Sequence, residues 1–297
     1  MKRMLLFLSA AAVLASCDSN DRVSAVMPAD EAGLIRFGVS DLPVTRAVNE
    51  STAETVAASG FNVAAIVGEA VYFNEKAAKS GNAYYTEGKY YYPQSAAIDF
   101  YACHPVDYAI SVSDNRSSVV YEQDNVSDLI VASRTGIISH TGDVELVFDH
   151  VLSQLNFTAK GTDPAVDYIL KSVSVKAPDG GVYSYVDGTW ERGTLADVEF
   201  FSGELQIMPE GTAVADAMTF LPGDIQLSVS WECRADGQLV GSYSKSTPVC
   251  GDEDAIRIEP GKNNTINLLL PNADAVGISF NIQVNTWEST AQDVILN

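Results

Sequence analysis

The sequence predicts an all-β protein of β-sandwich architecture, and three observations predict it. Apolar and polar residues alternate with a period of two, as in Ile225, Leu227, Val229, Trp231 and Cys233 against Gln226, Ser228, Ser230, Glu232 and Arg234. Ile278, Phe280, Ile282 and Val284 repeat the pattern against Ser279, Asn281 and Gln283. Turn signals punctuate such runs at Pro178-Asp179-Gly180-Gly181, Asp187-Gly188, Pro222-Gly223-Asp224, Asp236-Gly237 and Pro260-Gly261-Lys262-Asn263. Helix signals are few: Glu75 to Ser80 and Tyr168 to Lys171 each offer a turn or two, which Gly81 and the β-branched residues around Val173 keep from extending. Many short strands with recurrent turns define a packed-sheet class.

The chain opens with Lys2 and Arg3 ahead of an apolar run from Met4 to Leu14, then Ala15, Ser16 and Cys17. This is the layout of a secretion signal, too short for a permanent membrane helix. Leu14, Ala15 and Ser16 before Cys17 also form a lipobox, so residues 1–16 are expected to be removed and Cys17 to carry lipid. Residues 17–34, polar and small with Pro28 and Gly33, read as the lipidated tether. Acyl chains then supply the attachment, since no other stretch approaches the roughly 20 apolar residues a spanning helix needs.

The 297 residues carry 18 Lys plus Arg against 39 Asp plus Glu, a formal charge of −21. Without Lys2 and Arg3 the balance is 16 − 39 = −23. Such a surface repels a polyanion, which excludes nucleic acid as the default partner. With 46% hydrophobic and 19% charged residues, the chain has material for a packed core. Its length suggests about two domains. Lys160, Gly161, Thr162, Asp163 and Pro164 form a polar boundary between bodies expected at 35–160 and 161–297. Near it the alternation changes phase, from Val144, Leu146 and Phe148 to Val151, Leu155, Phe157 and Ala159, which predicts a bulge or bend at Asp149 and His150.

Chemistry-bearing patterns are scarce. Cys103, Cys233 and Cys250 exclude a dense disulfide framework. The Asp236-Gly237 hairpin should place Val240 opposite Cys233 and carry Cys250 far away, so buried free thiols are expected. His104, His140 and His150 fit no ligand spacing, and Asp252, Glu253 and Asp254 lack the alternation of an EF-hand loop, so no metal is expected. No nucleophile elbow, phosphate loop or dinucleotide fingerprint occurs, and neither an enzyme nor a cofactor is expected. A carboxylate-pair hydrolase needs two carboxyl groups about 5–9 Å apart, a separation no sequence displays. Tyr84, Tyr85, Tyr90, Tyr91 and Tyr92 crowd one stretch. They read as strand residues packing a pleated surface. The other reading, stacking on sugar rings, is that of a monomeric surface lipoprotein binding glycans through a β-sandwich surface.

Five stretches together resemble the fimbrillin-like pilins of Bacteroidales, the subunits of type V pili: Lys89 to Pro105 (KYYYPQSAAIDFYACHP), Asp128 to Ala132 (DLIVA), Val144 to Phe157 (VELVFDHVLSQLNF), Glu259 to Pro271 (EPGKNNTINLLLP) and Ile278 to Trp287 (ISFNIQVNTW). Tyr92 stands where that family often has tryptophan. The resemblance implies two tandem transthyretin-like β-sandwich domains, export as a lipoprotein to the outer membrane surface, and a structural role in an adhesive fimbria. It also implies other pilin subunits as partners, joined by strand exchange after an arginine-specific protease removes the first strand. Here Ile35 to Val39 is a short β-like run, and Arg46 before Ala47 is the matching cleavage position, with Asn49 to Thr55 beyond it expected as accessible chain. The donated strand would be Thr286 to Asn297, anchored by Val294 and Leu296. That segment is short, and if it only closes its own domain the chain is a tip or accessory subunit.

Overall fold

The computed structural model describes residues 33–40, 51–113, 116–138, 142–251, 255–272 and 279–286, within one compact unit that begins at Gly33. The first half is an eight-stranded sheet. Its strands run in the order Asp149–His150, Ile130–Ile137, Ile98–His104, Phe61–Val67, Ala70–Ser80, Ala83–Thr86, Phe37–Val39 and Val144–Leu146. The two outermost strands are separated in sequence only by Val147 and Phe148, so the sheet must roll until its edges meet. Its concave face closes over Phe37, Phe61, Phe73, Phe100 and Phe148, with Phe61 and Phe148 edge to face at 5.4 Å.

Phe61–Val67 and Ile98–His104 are buried on both faces. Phe61, Val63 and Ala65 point into that core, whereas Ala64 and Cys103 belong to a second cluster on the convex side. Such strands read as continuous apolar runs without alternation. Ala53–Ser59 is the one helix among the described residues, in chain expected to be merely accessible. Thr52 caps it, with the Thr52 hydroxyl accepting from the Thr55 N–H (3.2 Å) and the Thr55 hydroxyl accepting from the Thr52 N–H (2.8 Å). Val56 is its buried contact with the core. The helix stops at Gly60, whose φ is +78° and whose missing Cβ leaves room for the Ala77 carbonyl. Gly60→Ala should therefore lower stability by about 1–3 kcal/mol from the backbone conformation alone, with the collision added. Urea unfolding reads the loss, and a change within error of zero would mean the turn rearranges freely.

The second half is a sandwich. One layer holds Thr212–Ala213, Ser153–Gly161, Lys262–Leu270 and Ser279–Thr286 in that order, with Met218–Phe220 also pairing to Ser153–Gly161. The other holds Leu195–Ile207, Asp167–Pro178, Gly223–Ala235 and Gln238–Ser246, with Ile256–Ile258 pairing to Gly223–Ala235. Leu155, Phe157, Ile266 and Leu268 meet Leu170, Val173, Leu227 and Trp231 between the layers. The Trp231 indole N–H donates to the Pro271 carbonyl (2.9 Å) while its ring stacks on Tyr243 at 5.5 Å.

A four-stranded sheet joins the halves. Its hairpin Ile110–Ser113 and Arg116–Glu122 comes from the first half, and its hairpin Gly180–Ser184 and Thr189–Arg192 comes from the second. Leu129, Val131, Val119, Tyr121, Leu152 and Leu221 fill the space against the rolled sheet. Thr219 tightens the junction: its hydroxyl donates to the Ser127 carbonyl (2.9 Å) and its N–H to the Asn125 carbonyl (3.1 Å).

Three local expectations need correction. Glu75 to Ser80 and Tyr168 to Lys171 are strand, because each is paired on both sides and sheet packing overrides the local helix preference of their residues. The phase change near His150 is a change of sheet, since Val144–Leu146 and Ser153–Gly161 serve different layers. Asp236 and Gly237 do turn with positive φ (49° and 76°), but a register shift after Cys233 places Gly241 opposite it and leaves Val240 exposed.

Candidate functional site

The feature that stands out functionally is the seat of the first strand. Leu34, Ile35 and Phe37 are buried, Phe37 at 0% exposure, while Arg36 and Ser40 alternate to the outer side and Gly38 on that side is buried beneath Glu145. Phe37 lies edge to face with Phe100 (5.3 Å) and Phe61 (5.9 Å). On one flank Leu34 bridges Tyr91, the Ile35 N–H donates to the Tyr90 carbonyl (2.8 Å), and the Tyr92 N–H donates to the Gly33 carbonyl (3.1 Å). On the other, Phe37, Gly38 and Val39 run parallel to Val144, Glu145 and Leu146. There the Val144 N–H donates to the Arg36 carbonyl (2.8 Å) and the Ser40 N–H to the Leu146 carbonyl (3.1 Å).

The strand is thus an insert between two walls. The tyrosine-rich stretch makes one of them: Tyr84 is buried against Phe61, and Tyr90 stacks on Phe73 at 4.3 Å with its hydroxyl donating to Glu75 (2.5 Å). Burial pushes the Tyr92 phenol up to about 12, Asp143 adding to the rise and Arg36 opposing it. Arg36 and Asp143 form an ion pair, with side chains 21% and 25% exposed. Glu145 reaches over Gly38, where a Cβ would collide with its carboxylate, and accepts from the Ser40 hydroxyl (3.2 Å).

The chain is anchored again at Ser51. Its N–H donates to the Asp128 carboxylate (3.0 Å) and its hydroxyl to the Asp128 carbonyl (2.8 Å). The same buried carboxylate takes His150 Nδ1 at 2.9 Å. His104 sits nearby with Nδ1 at 2.7 Å from the Gly60 carbonyl, and burial lowers its pKa.

Of the residues singled out from the sequence, Cys17, Arg46, Ala47, Val294 and Leu296 lie outside the described residues, as do His140 and Asp252, Glu253 and Asp254. Arg46 falls in the sequence between the two anchored points, Ser40 and Ser51. Cys103, Cys233 and Cys250 are free, the last only half-buried. Burial pushes Cys103 up to about 12 and Cys233 up to about 11, which keeps both thiols protonated and unreactive. No three metal-ligating side chains gather among the described residues. Asp143 and Glu145 escaped attention in the sequence, although their alternation with the buried Val144 and Leu146 marks them as outward acids on a wall.

Similarity to solved structures extends over most of the chain. A fimbrial protein from Bacteroides vulgatus matches with a TM-score of 0.62 at 15% identity, covering 86% of this chain and 99% of that one. A Bacteroides uniformis structure described as a "putative cell adhesion protein" matches at 0.52 and 18% identity, covering 88% and 100%. A Parabacteroides distasonis structure with the same description matches at 0.54 and 11%, covering 88% and 98%. No curated protein matches the sequence. The sequence profile of the fimbrillin-like family matches residues 45–287, and the chain belongs to that family.

Proposed function

We propose that the chain is a subunit of a cell-surface fimbria with a role in adhesion, a structural protein that performs no chemistry. In this reading Cys17 is lipidated and holds the precursor to the outer membrane through its acyl chains. An arginine-specific protease cuts between Arg46 and Ala47. A strand from another subunit then takes the place of Leu34–Ser40. The observation that carries the reading is the seat itself. A three-residue strand supplies an aromatic anchor to a closed core, yet connects to the rest of the body only through residues 41–50. Withdrawing it would uncover Phe61 and Phe100 together with the Tyr90 and Leu146 carbonyls and the Tyr92 and Val144 N–H groups. Apolar pockets beside unpaired backbone groups are what an added strand recognises. The family profile beginning at residue 45, past the first strand, supports the same division. In this reading Val294 and Leu296 anchor the strand the chain donates. The division into bodies at 35–160 and 161–297 is kept as an approximate one, with the shared four-stranded sheet holding them together.

Digestion of the purified body with an arginine-specific protease, followed by mass determination and sizing, tests the reading. Cleavage behind Arg46, release of the preceding residues and appearance of oligomers are expected, and Arg46→Ala should remain monomeric. Normal incorporation of Arg46→Ala into fibres would defeat the cleavage site. Of the five tyrosines behind the glycan-binding alternative, Tyr84, Tyr90 and Tyr92 pack on the wall of the seat, while Tyr91 is 41% exposed.

A further inference from the structure

We infer that the helix Ala53–Ser59 is a latch that acid releases, and that His104 is the group that releases it. Its operation does not depend on strand exchange through the seat. A helix of seven residues does not stand by itself in water, and only Val56 of these seven is buried. The polar contacts at its two ends therefore decide whether it stays in place. Ahead of the helix, Ser51 is fixed to Asp128 through both its N–H and its hydroxyl. Behind it, the Gly60 N–H donates to the Val56 carbonyl (2.8 Å), and the Gly60 carbonyl accepts from His104 Nδ1 (2.7 Å). A carbonyl only accepts, so Nδ1 carries the proton of the neutral ring and a second proton can enter only at Nε2. The strand order gathers these groups: His104 and His150 both pair with Ile130, from the two strands that flank Ile130–Ile137, and Asp128 lies two residues before it. Ser51, His104, Asp128 and His150 are all buried, His104 at 3% exposure.

A second proton on His104 puts a cation where water does not reach. The groups around it are the Gly60 carbonyl at the end of the helix, the Asp128 carboxylate ahead of Ile130, the Asp107 carboxylate from the turn after its own strand, and His150 across Ile130. Burial holds the His104 pKa below its ordinary 6.5, and the Gly60 carbonyl and the two carboxylates offset only part of that. The released state then takes the proton before the seated one does. Seating is at full strength above 6.5 and declines as the pH falls below it. The loss falls on the helix first, because Phe61–Val67 and Ile98–His104 are held by strands on both sides. Release withdraws Val56 from the rolled core and detaches the chain next to the proposed cut.

Hydrogen exchange of the uncut full chain, carrying Cys17→Ser so that it stays in water, tests the latch residue by residue. Between about pH 7.5 and 5, the span in which histidine changes charge, protection of the Val56 and Gly60 amides should fall by up to about tenfold per pH unit, the limit for one proton. Protection of the Ala64 amide, in a strand paired on both sides, should stay level once intrinsic rates are corrected for. The His104 ring signals should titrate with a midpoint below 6.5. His104→Asn keeps a donor near the Nδ1 place and takes no charge, so protection in that variant should not depend on pH over the same span. Retained dependence in His104→Asn would overturn the assignment to His104 and pass it to the Asp128 and His150 pair. If that variant does not fold, a ring midpoint at or above 6.5 in the unsubstituted chain overturns the assignment as well. Level protection of Val56 and Gly60 in the unsubstituted chain would overturn the latch, and a parallel fall at Ala64 would overturn it by showing that acid loosens the whole fold.

Discussion

Phe37→Ala in the uncut chain is expected to lower stability by about 3–5 kcal/mol, the cost of truncating a fully buried aromatic where the surroundings relax only in part. Phe37 has 0% exposure and touches two other buried rings, Phe61 and Phe100, at the centre of the rolled sheet. Its neighbours cannot collapse into the space easily, because Phe61–Val67 and Ile98–His104 are paired on both sides. The backbone bonds flanking the strand would remain, each worth about 0.5–1.5 kcal/mol net, so the loss should register as instability and not as release of the segment. Urea unfolding at unchanged m separates these outcomes. The same substitution has a second expected result that an ordinary core residue would not show. Once residues up to 46 have been removed, variant and wild type are the same molecule and must unfold alike. Immediately after a nick within 41–50, while the segment is still seated, the variant should lose it faster than the wild type. A loss below about 1 kcal/mol, the range of ordinary surface and mildly buried changes, would mean that Phe37 is not the anchor of the seat.

The elements that the sequence revealed and those it concealed differ in a physical way. Gly223–Ala235 and Lys262–Leu270 bury one face each, so their residues alternate and both strands are legible. Phe61–Val67 and Ile98–His104 bury both faces and carry no alternation to read. The helix Ala53–Ser59 escaped because seven residues with one buried contact leave little periodicity, although Thr52, Thr55 and Gly60 mark both of its ends. Glu75 to Ser80 misled in the opposite direction. Its lysines and alanines favour helix locally, yet the segment lies between two paired strands, and the inward residues of its strand Ala70–Ser80, Phe73 and Ala77, follow the sheet. For the candidate site, the apolar beat of Ile35, Phe37 and Val39 was visible, whereas its walls come from residues 84–92 and 143–146. Contacts over such separations leave no local trace. Five tyrosines in one stretch suggest strand packing. In the structure only Tyr84 and Tyr85 lie in a strand, and Tyr90 to Tyr92 brace the seat from an irregular segment.

Asp128→Ala should cost about 1–3 kcal/mol for each buried polar group that loses its hydrogen bond to the carboxylate. Asp128 is 1% exposed and serves two groups that no solvent can take over, the Ser51 N–H and the His150 ring, itself 8% exposed. Asp128→Asn keeps one acceptor oxygen and the shape of the side chain, so it should lose less, about 1–3 kcal/mol for the group left unserved. Because both partners share one carboxylate, Asp128→Ala and His150→Ala should be non-additive, with a coupling of about 0.5–3 kcal/mol in a double-mutant cycle. Strict additivity would show that the two side chains stabilise the fold separately. The position of the contact gives the cycle a functional reading. Ser51 is the first described residue after the segment that contains Arg46, and it leads directly into the Thr52 cap and the helix that puts Val56 into the core. A cut behind Arg46 frees everything before it, but the new amino terminus lies a few residues from a buried anchor. With Asp128 intact, protection of the Val56 and Gly60 amides from hydrogen exchange should be the same before and after cutting. In Asp128→Ala it should fall after the cut, since the first strand and the anchor would then both be gone. Equal protection in the cut forms of wild type and variant would show that the helix holds without Asp128, and that the carboxylate acts only on the fold as a whole.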